Sequence, residues 1–257
     1  MGGILALLKL SFSRDLIYRT NLWSALISRL GFLIVSILWF SIMYSSLLHV
    51  KSWGYAESMF FLATFQLVET ITVALFGNSF ANWHQQIISG SLDVMLTKPI
   101  DTQLALSLHA ISFPQLVTIG APLALIIQIA STQPLFSSAL IVLAYIVGIA
   151  LAVIIFYNIW LLIMTVLFRL IGMDQWHQLF RGITSFMQVP PIVYDGAIKF
   201  LFYFVLPVFA AVMLPLDIVW HHSWQALAIL LAIALLTSIV ARIAFRLGLK
   251  AYNSASS

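Results

Sequence analysis

Charge is what this sequence has least of. Only 8% of its 257 residues are Asp, Glu, Lys or Arg, against about a quarter in soluble domains. Eight acidic and twelve basic side chains cannot clothe a soluble core in which 62% of residues are hydrophobic, so lipid must do the covering. Cysteine is absent, which excludes a disulfide framework, thiolate metal ligands and a cysteine nucleophile. No G-x-x-x-x-G-K-[ST] loop is present to cradle nucleotide phosphates, and neither H-E-x-x-H nor G-x-S-x-G occurs, which leaves little basis for an intramembrane enzyme. The net charge of +4 would suggest nucleic acid in a soluble protein. Here the basic residues read as topology markers, and no nucleic-acid partner is expected.

What the sequence does have is long apolar runs. A helix needs about 20 residues to cross a hydrocarbon layer of ~30 Å, and five runs meet that length: 30–49, 59–78, 104–130, 136–168 and 224–245. Residues 170–215 admit two readings, because they contain Arg181, Lys199, the pair Pro190-Pro191 and an apolar run broken by Pro207. In one, 170–198 is a cytoplasmic amphipathic segment and 199–215 spans. In the other, 176–193 spans and the Pro207-broken run dips back as a re-entrant hairpin, a form tolerated only where protein buries it. Both give six crossings. Arg14, Arg19, Arg29, Lys98, Arg169, Arg242, Arg246 and Lys250 then gather on one side with Lys51 opposite, so both termini are expected in the cytoplasm. Residues 1–20 carry Leu5, Leu8, Phe12 and Leu16 along one helical side beside Lys9, Arg14 and Arg19, the pattern of an interfacial helix.

Between the second and third runs, residues 89–101 read SGSLDVMLTKPID. Ser89, Gly90 and Ser91 form a turn with a capping side chain, and Asp93 falls where the helix dipole favours an anion. Leu92, Met95 and Leu96 recur at i, i+3 and i+4, Lys98 suits the C-terminal end and Pro99 stops the element. A two-turn helix is marginal by itself in water and must lean on the spans or on another protein.

Isolated polar groups are few. Glu69 lies mid-span with Gln66 about one turn away and Thr70 and Thr72 nearby; a bare carboxylate there costs several kcal/mol. It either lines a pathway or interface, or packs as a hydrogen-bonded group. His221-His222 has the adjacency of a metal site without further ligands, and packing or an interface is the simpler reading. The aromatic group around Phe200, Tyr203 and Phe204 fits helix packing or an interfacial belt, and is also where substrate contacts would be sought.

The loop SGSLDVMLTKPIDTQL resembles the Gly-Ser/Thr-Leu-Asp, Leu-x-x-Pro loop of the ABC-2 type (type-2) ABC export permeases. VPPIVYDGAIKFLFYFVLPVFAAVMLPLDIV is similar to that family's Pro-x-x-Tyr segment and proline-interrupted run, and RLGLKAYNSASS to its Gly-Leu-x-x-Tyr ending. These landmarks extend over most of the chain, in order. The resemblance implies an all-α membrane protein, a single transmembrane permease domain over 1–257 with six transmembrane helices. It adds an N-terminal interfacial helix over 1–20, a cytoplasmic coupling helix within a loop at 79–101, and an outer re-entrant hairpin at 190–223 before the last helix. It also implies a subunit of an ABC exporter in the bacterial inner membrane, pairing with a second permease copy or sister permease and with cytoplasmic ABC ATPase subunits. ATP and Mg would be bound in the partner ATPase and no cofactor by this chain. Ser91, Leu92, Asp93, Met95, Leu96, Lys98 and Pro99 become the ATPase-coupling residues. Gln66, Glu69, Phe200, Tyr203 and Phe204 are the residues proposed for translocation or an interface. The rival class is an ion-coupled secondary transporter in which Glu69 carries a proton.

Overall fold

A computed structural model describes residues 19–45, 54–89, 91–97, 101–167, 182 and 191–250. The described residues are all-helical, without strands. Five helices or helix runs are long and apolar enough to cross a membrane: Trp23–Ile42, Tyr55–Trp83, Phe113–Thr132, Ala139–Thr165 and Trp224–Lys250. A bent pair, Gly196–Val205 with Val208–Trp220, is the sixth candidate. Residues 1–18 of the interfacial helix expected over 1–20, and most of the alternative span at 176–193, lie outside the described residues, while Arg19 and Thr20 belong to the first long helix.

Helix α1 (Arg19–Met43) starts earlier than hydropathy placed the first span, which takes Arg29 into the span. Less than a fifth of its most apolar stretch is buried, and Trp23, Ile27, Ile34, Val35 and Leu38 face outward. The second span is the opposite case, with 72% buried. It comprises α2 (Tyr55–Thr72), a π turn (Val73–Gly77) and α3 (Asn78–Ile88). Phe60, Phe61, Leu62, Ala63, Phe65 and Val68 of α2 form the centre of the core. Because lipid is as apolar as these side chains, close packing rather than expulsion from water must hold α2 in place.

Helix α4 (Ser91–Leu96) and α5 (Thr102–Leu108) follow, then α6 (Phe113–Val117) and α7 (Gly120–Thr132). Hydropathy had predicted one run over 104–130; the structure breaks it twice. Pro114 lacks an N–H and suits the first turn of a new helix, so the chain stops at Leu108 and restarts at Phe113. Pro122 comes just after the second break, near the start of α7. The first gap is stitched to the second span. Ser112 donates its N–H to the Ala74 carbonyl at 2.9 Å and Ala110 donates to Ser79 Oγ at 3.1 Å. Ala74 lies in the π turn, whose wider i→i+5 pattern disturbs the regular ladder and leaves a carbonyl for an outside donor.

Helix α8 (Ala139–Leu167) carries small residues Ala144, Gly148 and Ala152 at four-residue spacing, all buried. This stripe admits α10 (Val208–Trp220): a Cβ on Gly148 would stand 3.2 Å from Ile218 Cδ1 and 3.7 Å from Pro215 Cα. Before α10 come a 3₁₀ turn (Pro191–Val193), α9 (Gly196–Phe200) and a second π turn (Leu201–Val205). The chain then bends by 79° at Leu206-Pro207. Leu206 is driven out of the helical region by the proline that follows it, with φ −117° and ψ 86°. Neither arm alone, at about 1.5 Å per residue, covers ~30 Å of hydrocarbon. Helix α11 (Trp224–Lys250) closes the bundle against α8 and α10.

Candidate functional site

At one end of the bundle α3, α4 and α5 pack together. Leu92 is fully buried in a cluster with Phe80, Trp83, Leu106, Trp160, Leu161, Met164, Ala241 and Phe245. Phe80 and Trp83 stack at 5.4 Å with planes 8° apart, and Phe245 meets Trp83 edge-on at 6.0 Å. The short helix therefore leans on the spans through Leu92, as its length requires. Its other side is different: Ser91 and Thr97 are exposed, Leu96 is 37% exposed and Asp93 is half-buried in the first turn. Ser89 Oγ lies 2.9 Å from Ser91 Oγ across the preceding turn. Met95 belongs to the helix, while Lys98 and Pro99 lie outside the described residues.

The loop's end carries a polar network that sequence reasoning missed. Asp101 caps α5, its Oδ1 accepting from Leu104 N at 3.1 Å. Arg242 of α11, 141 residues away, grips the same carboxylate with both arms: Nη1 donates to Oδ1 at 3.0 Å and Nη2 to Oδ2. This fork is the strong form of the pair, and the Arg242 guanidinium holds the Asp101 carboxyl below the usual carboxylate range. Arg242 Nη1 also donates to Gln103 Oε1 at 2.6 Å. Gln103 Nε2 donates to Tyr157 Oη at 2.9 Å, and Ser107 Oγ shares a hydrogen bond with Tyr157 Oη at the same distance. The Tyr157 ring lies 4.6 Å from that of Phe76 in the π turn. Loop, fourth span, last span and π turn are thus joined by directional contacts.

Glu69 has a partner. Arg29 Nη2 donates to Glu69 Oε2 at 2.6 Å, to the Gln66 carbonyl at 3.0 Å and to Thr70 Oγ1. The pair's side chains are only 13% and 18% exposed, and the Arg29 guanidinium also stands 5.7 Å from the Phe32 ring. Gln66 is buried, its Nε2 donating to Ser36 Oγ at 3.3 Å while its Oε1 has no partner among the described residues. Arg29 was read from sequence as a topology charge; the i, i+3/i+4 neighbourhood of Glu69 gave no sign of a cation 40 residues earlier.

Phe200, Tyr203 and Phe204 sit apart from Gln66 and Glu69. Phe200 and Phe204 are 60% and 74% exposed with rings 5.1 Å apart. Tyr203 packs edge-on against Phe209 at 5.8 Å. Tyr203 and Phe204 line an apolar cleft of about 460 Å³ with Pro207, Leu236 and Val240, between the bent pair and α11. His109 lies at the break after α5, where its ring contacts Gln86 Nε2 at 3.1 Å and the Leu106 carbonyl at 3.0 Å. His221 Nδ1 lies 3.3 Å from Asp217 Oδ1, and among the described residues no three His, Asp or Glu side chains gather as metal ligands.

Spans of this length, packed around a nearly buried second helix and joined by a short helix locked to one end, define a multi-pass α-helical membrane protein. A sequence model for the ABC-2 family transporter proteins matches residues 30–256, and the chain belongs to that family. It is therefore a permease subunit of an ABC transporter, a membrane component that associates with an ABC ATPase. No curated protein and no solved structure gives a match.

Proposed function

We propose that this permease is the membrane half of an ABC exporter, and that α4 is the element on which the ATPase acts. The observation that carries the reading is the two-sidedness of α4: Leu92 is anchored in the bundle while Ser91, Leu96 and Thr97 are offered outward. A docking helix needs both a face to receive force and an anchor to pass it on. Leu92 is then the anchor and Leu96 the contact, with Ser91, Asp93, Met95, Lys98 and Pro99 completing the coupling segment. The basic residues at this end of the spans support a cytoplasmic loop and cytoplasmic termini in a bacterial inner membrane. ATP and Mg are bound by the ATPase, and a second permease copy or sister permease completes the pathway. Nucleotide can drive transport only if its states bind the permease conformations with different affinity. Substrate passage by alternating access follows.

The bent pair fits a re-entrant hairpin, since its buried arm α10 is enclosed by α2, α8 and α11. The exposed pair Phe200 and Phe204 suits an apolar or amphipathic cargo, or the second permease. The ion-coupled alternative loses its main support, because the Glu69 carboxylate is engaged by Arg29 at 2.6 Å rather than left open to a pathway.

The test is purification of the tagged chain in mild detergent with its partners. Leu96→Asp is expected to lose the ATPase while the chain stays folded. Retention of a fully active ATPase on Leu96→Asp and on Ser91→Arg would refute docking at α4.

A further inference from the structure

We infer that Arg242, outside the loop, is a positioning residue for energy coupling: its fork on Asp101 transmits movement of the α4–α5 loop to the last span. The inference rests on the docking reading above and adds the route by which force leaves the loop. α5 touches the rest of the bundle in two ways. One is apolar, through Leu106 in the cluster around Leu92. Such a contact resists compression but lets surfaces slide. The other is directional: Asp101 at the start of α5 is held by both arms of Arg242, Gln103, two residues on, is held by Arg242 and Tyr157, and Ser107 meets the same Tyr157 hydroxyl. A bidentate guanidinium–carboxylate pair fixes distance and angle together, so a tilt of α5 must either turn α11 or break the fork. The fork is about a third exposed on each side, which makes it a weak contributor to stability. An exposed pair that adds little to stability yet is set in a five-residue network across three helices is better explained by geometry than by folding energy. Tyr157 extends the link to the π turn through its contact with Phe76. The turn holds the broken third span through Ala74.

The absence of cysteine permits a clean test. Trp23→Cys and Leu247→Cys, both at exposed positions, take nitroxide labels that report α11 against α1 at the loop end. The labelled permease is combined with separately purified ATPase, and the inter-label distance is measured without nucleotide and with ATP plus vanadate. The parent protein is expected to shift its distance on nucleotide trapping. Arg242→Asp should keep the ATPase bound and lose the shift, and the exchanged pair Asp101→Arg with Arg242→Asp should regain it. Arg242→Gln, which keeps a donor but neither the charge nor the full fork, should show the same loss and serves if Arg242→Asp does not assemble. A full shift in Arg242→Gln, or no recovery in the exchanged pair, overturns the inference while leaving docking intact. A parent chain that binds no ATPase overturns the docking reading, and the inference falls with it.

Discussion

Removing the carboxylate of Glu69 should destabilise the fold more than removing the whole ion pair. At 2.6 Å the two charges attract by about 6 kcal/mol for an effective dielectric of ~20, and that attraction is set against several kcal/mol of desolvation for each ion. The intact pair therefore contributes little net. Breaking one side is different, because the other charge remains in the bundle. In Glu69→Ala, Arg29 keeps only the Gln66 carbonyl and Thr70 Oγ1. The expected cost is at the lower end of the usual range for a broken buried pair, about 3 kcal/mol. For a chain of this size each kcal/mol moves the midpoint by about 2–4 °C, so thermal unfolding in detergent should fall by roughly 6–12 °C. Arg29→Leu with Glu69→Leu should recover most of that loss. A Glu69→Ala midpoint within about 2 °C of the parent, or a double variant as unstable as the single, would refute the reasoning.

Three further outcomes follow from the packing. Ser79→Ala strands the buried Ala110 N–H and should cost about 1–3 kcal/mol, read as a lower midpoint without loss of helical circular dichroism. At Gly148 a methyl meets the end of the Ile218 side chain at 3.2 Å; helix propensity offsets that crowding in Gly148→Ala, whereas Gly148→Leu should lose about 1–3 kcal/mol or more by wedging α8 from α10. The Asp101–Arg242 link depends on pH with a defined sign. The carboxyl is held lower when folded than when unfolded, so its contribution is complete above an unfolded value of about 3.9 and is lost as pH falls through the lower folded value. Exposure keeps it under about 1 kcal/mol. Stability should not differ between the parent and Arg242→Gln by more than that amount at pH 7, and the difference should shrink as pH falls below the unfolded carboxylate value.

Much of the architecture was readable because hydropathy reports composition along one chain. Four of the five long runs recur with shifted ends, and Pro207 marked the bend. The third run misled because its apolarity is continuous while its backbone is not. Pro114 permits the break, but the bond from Ser112 to Ala74 that secures it involves a π turn, for which Gly77 is the only local hint. In α4 the i, i+3, i+4 pattern announced an amphipathic helix, yet pattern alone does not say which leucine faces the bundle. Leu92 and Leu96 divide only once α3 and α5 are in place. Both ion pairs were invisible for one reason: Arg29 with Glu69 and Arg242 with Asp101 are far apart in sequence, and a lone basic residue near a span end looks like a topology charge.

The most direct test of the account is recovery of an ABC ATPase on the tagged permease, with ATP hydrolysis measured for the parent and for Leu96→Asp. The account predicts an ATPase bound to the parent and absent from a folded Leu96→Asp chain. A parent that transports with no ATPase bound, or a Leu96→Asp chain that retains it at full activity, would contradict α4 as the point where the energy of ATP enters the membrane subunit.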